Sequence, residues 1–472
     1  MGTLALKGFF LNAPQKSRST VVDKTKNSAS MRVESQSGSP LPNPFSSALG
    51  STMKMIRYAL AGLLLSLSST SALAGQTWWI DDSGGAGIDF TDIQPAINAA
   101  SAGDLLIVHP GTYSGFNLGK NLTIMGFNVN HTSVVNGTVT IANLTSPGRA
   151  VLTGLRLKAM NLNSNGAPVI LDSIRINPAF AGTGVVTINN CFDVRMYQCN
   201  VTAPMGTAVA GSNGVEAVNS RLEVVDSYLA GAEGFYVGCS GDAGDGGSAL
   251  WASNNSIISV FQTTCDGGPG GQTDGFCEWS DPYGGDGGDG IYLRGGSRAV
   301  IAGDATDTIM FGWEGWGDSF PIFTDGARGY GMALAGGSIA RYSGVNMTST
   351  LIQAGSLATL AVPADPYLER TGTLQAGRKQ TFWIYGTPGD QVTFYLGRSP
   401  LVTIDGTQEM DNLVTHERAY TLGAIPATGR LKYEFTVPTF FPDGFSFYSQ
   451  AEVTTSSGSR LTNSIPIVLR YL

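Results

Sequence analysis

From about Leu105 to Val345, apolar residues come in short alternating runs separated by turn residues rather than by helical stretches. "LTIMG" at 122–126, "VLTGLRL" at 151–157 and "VILDSIRI" at 169–176 have the length and β-branched content of buried strands. Leu155 and Ile174 stand 19 positions apart, about one coil of a parallel β-helix. Five later runs, "VTINNCFDVRM" from 186, "VEAVNSRLEVV" from 215, "WASNNSIISV" from 251, "IYLRGGSRAVI" from 291 and "MALAGGSIARY" from 332, align on one corner. The corner residues are Asn190, Asn219, Asn255, Gly296 and Gly337, the types that accept the positive φ a sharp bend between two sheets requires. Successive corners are 29, 36, 41 and 41 positions apart. The excess over a bare coil is Gly/Asp-rich, which predicts insertions leaving the stack on one side. Stacked coils then bury a continuous Val/Ile/Leu core that no single coil could bury alone.

Ahead of these runs, "DFTDIQPAINAASAGDLLIVHPGTYSG" at 89–115 places Ile93, Ala96, Ile97 and Ala100 on one face of a short helix, with Pro95 in its first turn. This stretch resembles the N-terminal cap and first coil of right-handed parallel β-helix proteins of the pectin lyase-like superfamily. The resemblance covers roughly residues 76–350 and implies the fold and a carbohydrate context. Its matching residues are cap, turn and core, and His109 reads as a surface residue before the Pro110-Gly111 turn. After Leu360 the character changes. "PADPYLERTG" at 363–372 reads as a linker, and residues 373–472 alternate as an antiparallel β-sandwich. "FPDGFSFYSQAEVTTSSGSRLTNSIPIVLR" resembles C-terminal sandwich modules of secreted planctomycete-type proteins. The expected fold class is therefore all-β: a right-handed parallel β-helix over 75–362 followed by a sandwich.

Residues 53–74, "MKMIRYALAGLLLSLSSTSALA", have the order of a secretory signal: Lys54 and Arg57, an apolar core, and a small-x-small site ending at Ala74. Met53 or Met55 is the expected start of translation, with residues 1–52 either disordered or outside the native product. Cleavage near Ala74 leaves 20 Lys+Arg against 34 Asp+Glu, a net charge of −14. Such a chain is a poor partner for nucleic acid or anionic membranes, and no later segment predicts a membrane anchor. A polysaccharide or another cell-surface component is the expected partner; the sequence leaves the oligomeric state open.

The chemistry is less legible. "GGDGGDGIY" at 284–292 fits the calcium-binding pattern G-G-x-G-x-D-x-U-x once, and "GDAGDGG" at 241–247 nearly repeats it. Asp242, Asp245, Asp286 and Asp289 are accordingly the candidate calcium ligands, although Ile291 belongs to the next coil's strand. "FGWEGWGD" at 311–318 sets Trp313 and Trp316 around Glu314, the pairing of ring faces and carboxylate that suits sugar binding; Trp251 and Trp279 flank the same side. Arg156, Arg175, Arg195 and Arg221 recur on successive coils, on a groove or a solvated face. Cys239, Cys265 and Cys277 are the disulfide candidates, while Cys191 and Cys199 read as core residues. "DTIMFG" with Asp307 and "LGRSP" with Arg398 resemble pectin methylesterase motifs, but fall on opposite sides of the linker. The superfamily's lyase and hydrolase signatures are absent, so no catalytic residue is assigned. The sequence favours a secreted β-helix protein with a structural or carbohydrate-binding role. The alternative is a polysaccharide lyase or glycoside hydrolase acting on an acidic polysaccharide.

Overall fold

The computed structural model describes residues 75–472 apart from 128–131, 177–185, 205–209, 239–240, 274–281, 318–324, 363, 373–374, 399–402, 405–409, 413–416, 440, 457 and 471–472. Parallel strands stack into a solenoid of two long sheets. One sheet has eleven strands, running from Thr77–Ile80 through Leu105–Val108, Val194–Tyr197 and Arg298–Ala302 to Leu357–Leu360. The other has two arms joined at Arg156–Asn163. One arm carries Arg175–Ile176, Asn200–Thr202, Tyr228–Ala230, Thr264–Asp266, Thr308–Met310 and Asn346–Met347. The second carries Val186–Asn189, Val215–Val218, Leu250–Ser253, Ile291–Leu293, Met332–Leu334 and Thr350–Ile352. The fold is a parallel β-helix followed by an antiparallel sandwich.

All five expected corner residues have positive φ, from 45° at Asn219 to 78° at Gly337. Directly behind them runs a column of small hydroxyl or thiol residues. The Cys191 N–H donates to Ser220 Oγ at 3.0 Å, and the Ser220 N–H donates to Ser256 Oγ at 3.2 Å. These side chains bond the backbone groups that the bend takes out of the ladder, so each coil fixes the next. A second positive-φ corner, at Ser173, Gln198, Asp226 and Gln262, leads from the eleven-stranded sheet into the other. Only a local hydrogen bond or tertiary context makes those residue types suitable there, and the sequence pattern gave no sign of it.

The N-terminal end is closed. Asp92 caps the helix Ile93–Ala99, accepting from the Ile93 N–H, and Ile93, Ala96 and Ile97 are buried over the core as their spacing predicts. Lys120 Nζ donates to the carbonyls of Ile97, Asn98 and Ala100 at 2.8–3.0 Å, satisfying the other helix end.

The sandwich consists of a three-stranded sheet (Tyr367–Thr371, Lys379–Tyr385, Arg430–Thr436) facing a five-stranded one that includes Gln391–Gly397 and Ser446–Thr455. The expected linker is thus shorter than 363–372, because Tyr367–Thr371 pairs in register with Lys379–Tyr385. This strand reaches its sheet by the burial of Tyr367 and Leu368, which join Tyr197, Val225 and Phe261 of the solenoid in one apolar cluster. The sandwich therefore covers the outer face of the eleven-stranded sheet.

That covering corrects the reading of the arginines. Arg195 and Arg221 lie neither in a groove nor in solvent but are buried, whereas Arg175 is exposed and Arg156 half-buried. The Arg195 guanidinium bonds both Asp193 oxygens at 2.9–3.1 Å and Ser464 Oγ of the sandwich at 2.7 Å. Ser464 in turn donates its N–H and hydroxyl to Glu223 at 2.8 and 2.6 Å. Arg195 also lies 5.1 Å from the centre of the buried Tyr448 ring. Arg370 from the sandwich covers Tyr197, and Arg470 reaches Asp172 at 2.9 Å. Replacing Arg195 with Met should cost about 3–5 kcal/mol in unfolding free energy, because Asp193 and Glu223 stay buried without their cation. Ser464→Ala should cost about 1–3 kcal/mol, and urea unfolding of the two variants beside the parent checks both values.

Candidate functional site

The Gly/Asp-rich insertions are built structure. Segments 231–237, 267–273 and 311–317 continue one arm of the two-armed sheet outward, and 241–249, 282–290 and 325–331 return to the other. Their hydrogen bonds repeat every third residue. Gly231, Gly234 and Val237 donate to the carbonyls of Asp266, Pro269 and Gln272, at 2.9, 2.9 and 3.2 Å. Gly267, Gly270 and Thr273 donate likewise to Met310, Trp313 and Trp316, at 2.9, 2.8 and 2.9 Å. A β-strand returns to the same neighbour every second residue, so a period of three marks extended helices of the polyproline-II type, which have no internal hydrogen bonds. These helices bond one another instead.

The six segments form two layers, outbound and returning, bonded across the gap between them. Gly268 donates to Gly247, Gly288 to Gly268 and Gly312 to Gly288, all at 2.8 Å. Gly271, Gly285 and Gly315 form a parallel series one turn further out, donating to Gly244, Gly271 and Gly285. Backbones this close leave no room for side chains: a Cβ on Gly288 would overlap the Gly247 carbonyl oxygen, and one on Gly312 the Gly268 oxygen. Only the third residue of each turn points outward, so each layer presents one free face.

On the returning layer that face is acidic. Asp242 accepts from the Tyr283 N–H, Asp245 from Asp286, Asp286 from Ala327 and Asp289 from Tyr330, at 2.7–2.9 Å, each across 41 positions. Asn213 does the same for Ser248 at 2.8 Å. Two N–H groups of each turn bond within and between layers, and these carboxylates take the third. The sequence singled out these four aspartates as calcium ligands. Here their Oδ1 atoms hold peptide N–H groups, and no three His, Cys, Asp or Glu side chains converge as a metal cage among the described residues. "GGDGGDG" is two turns of this helix, glycines inward and Asp outward.

On the outbound layer the free face is aromatic. The shared register places Glu233, Pro269 and Trp313 in one row, and Tyr236, Gln272 and Trp316 in the next, one turn outward. Trp313 and Trp316 are 59% and 68% exposed, and Tyr236, Pro269, Gln272 and Met310 are exposed beside them. One turn of such a helix rises about 9 Å, so the two indoles project from the same side at about that spacing. Arg328, from 325–331, grips Glu314 through Nε and Nη2 at 2.6 and 3.0 Å and lies 4.6 Å from the Trp313 ring centre. Phe311 meets the Trp313 ring edge-on at 5.3 Å. The hydrogen bond from Arg328 holds the half-buried Glu314 carboxyl below its usual range. Next inward on the same face, burial raises the Asp266 carboxyl, beside Tyr228.

The structure thus brings Trp313, Glu314 and Trp316 together as expected, and adds Arg328 and Tyr236, which the sequence reading missed. Trp251 stands apart, half-buried on the second arm with Arg294 over its ring at 5.8 Å. Cys265 is not bridged: it is a buried free thiol, as are Cys191 and Cys199, and burial raises the pKa of all three. It lies in the strand Thr264–Asp266, facing the core between Leu229 and Ile309, rather than in a loop. Cys239, Cys277 and Trp279 lie outside the described residues. Asp307 accepts from the Asp304 N–H at 2.8 Å in the solenoid, while Arg398 pairs with Glu417 at 2.9 Å in the sandwich, so the two do not share a site. His109 stacks on Phe127 near the first coil, with ring centres 4.5 Å apart.

No family model matches the chain, and no curated protein matches it in sequence. Among solved structures it is similar to the enzymatically active domain of tailspike protein 2 from bacteriophage CBA120. That match has 11% identity and a TM-score of 0.26, covering 84% of this chain and 72% of the other. It is also similar to ORF18 of Geobacillus virus E2, with 11% identity, a TM-score of 0.22 and 91% of each chain covered. Likenesses this distant carry no argument about activity.

Two outcomes test the layered arm. Gly288→Ala should destabilise the protein by about 1–3 kcal/mol through overpacking against backbone, whereas Asp286→Asn keeps its acceptor and should stay within about 0.5 kcal/mol; chemical unfolding reads both. The second concerns Asp289, whose carboxyl burial pushes up to about 6, against the pull of the Tyr330 N–H. The folded carboxyl holds its proton more tightly than the unfolded one. Its stabilising contribution is therefore complete below about pH 4 and lost as pH rises through about 6. Asp289→Asn should match the parent near pH 4 and exceed it by about 1 kcal/mol at pH 7, a value discounted for partial solvent exposure. Melting curves across that range decide it.

Proposed function

We propose that this is a secreted, carbohydrate-binding β-helix protein acting at a cell surface, and that its ligand stacks on the outbound face of the glycine-rich arm. The observation that carries the reading is the pair of exposed indoles, Trp313 and Trp316, fixed one helical turn apart on a backbone bonded on several sides. Sugar rings present C–H faces that pack on aromatic rings, and hydroxyls that bond neighbouring polar groups. Gln272 and Glu233 supply such groups within the same rows, and the Glu314–Arg328 pair supplies them beside Trp313. Two exposed rings one helical turn, about 9 Å, apart suit a repeating polymer better than a single small sugar. The signal-like segment 53–74 and the acidic mature chain support a role outside the cell.

A hydrolase reading draws on one observation, the raised Asp266 carboxyl beside Tyr228 on the same face. Burial shifts that carboxyl in the direction a general acid needs.

Binding isotherms on a panel of insoluble and soluble polysaccharides test the main reading. Trp313→Ala and Trp316→Ala should each weaken the retained polysaccharide about thirtyfold, the cost of about 2 kcal/mol for removing a central aromatic anchor. Trp251→Ala should leave binding unchanged. Retention that survives the double tryptophan variant would place the site elsewhere. New reducing ends that disappear in Asp266→Asn would establish the hydrolase reading.

A further inference from the structure

The two ends of the solenoid are finished differently. At the N-terminal end the helix Ile93–Ala99 seals the core. At the other end the last coil, Asn346–Met347, Thr350–Ile352 and Leu357–Leu360, is hydrogen-bonded to a preceding coil on one side only. Val345, Met347 and Ala358 pack against the core yet stay partly open, and Ile352, Leu357, Leu360 and Val362 are 47–83% exposed. Soluble solenoids need a polar cap at each end, and natural sheet edges are blunted with charges or proline. This edge has neither. No charged residue occurs between Arg341 and Asp365, and the first proline is Pro363.

From these observations we infer that two copies of the chain join through this last coil, as a two-fold dimer that completes both cores. The occupant follows from the ends themselves. A head-to-tail stack would have to displace the helix that seals the N-terminal end, so a second copy can offer only its own bare end. That end is apolar and uncharged, so the same surface on two copies can meet across a two-fold axis without opposing charges, as an isologous interface requires. A two-fold axis brings Leu357–Leu360 against its counterpart antiparallel, giving the unpaired N–H and C=O groups the partners they lack. The uncharged coil matters for a mature chain carrying net charge −14, because the contact brings no like charges face to face.

Light scattering coupled to gel filtration, on the full chain as expressed and processed by its host cell, tests the proposal. The parent should run at twice the chain mass at micromolar concentration and dissociate on dilution. Leu357→Lys combined with Leu360→Lys changes exposed positions only and should weaken association at least a hundredfold, giving a monomer with the parent's circular dichroism spectrum and a melting curve that no longer depends on protein concentration. A monomeric parent at tens of micromolar, a closed ring of three or more, or a dimer untouched by the double substitution would each overturn it. So would co-purification of a different chain on this edge in place of a second copy.

Discussion

A buried peptide N–H without an acceptor costs about 1–3 kcal/mol, and this constraint organises the protein more than any side chain does. In the solenoid it is met by stacking: every strand except those at the two ends of the stack bonds the coil before and the coil after. Where the chain leaves the stack, strand geometry stops but the obligation does not. The glycine-rich segments meet it by approaching within hydrogen-bond distance of neighbours in their own layer and in the other one. Such contact is open only to residues without a Cβ, which explains why 63 glycines are present and why they cluster between coils. Glycine costs conformational entropy, and here the dense bonding offsets it.

One consequence is that composition and exposure become coupled. Two of every three positions in an inner segment are consumed by packing, and the third carries all the chemistry. The returning layer spends that position on aspartates that bond the neighbouring backbone. The outbound layer spends it on tyrosine, glutamine and tryptophan, leaving their rings and amides to solvent. The same lattice thus yields a self-satisfied acidic face and an exposed aromatic one.

The sequence made some of this legible and hid the rest for physical reasons. Asn190, Asn219 and Asn255 revealed a corner because few residue types tolerate positive φ. The helix cap was visible because Ile93, Ala96 and Ile97 fit a 3.6-residue period. The threefold period was present in "GGDGGDG" and "GWEGWG" as well. It read as insertion because an isolated extended helix has no internal bonds and glycine-rich sequence resembles a linker. Its order comes from segments 41 positions away, which no local pattern reports. Arg195 was misplaced for a related reason, since the sandwich that buries it follows hundreds of residues later. Cys265 looked like a loop cysteine because glycines follow it, yet its own strand ends only after Asp266.

If the aromatic face binds a polymer as proposed, its electrostatics bear on which kind it would accept. Arg328 is the cation at the tryptophans, and both its bonds to Glu314 are charge-assisted. An anionic sugar would have to break that pair to gain a cation, and would then meet the freed Glu314 carboxylate and nearby Glu233. A neutral polymer loses nothing by leaving the pair intact, because Arg328 over Trp313 then fixes the ring it stacks on. Holding that indole in place before binding removes part of the ordering cost that a mobile loop would impose. Under the carbohydrate-binding reading proposed above, the same geometry therefore favours uncharged polysaccharide over the acidic kind.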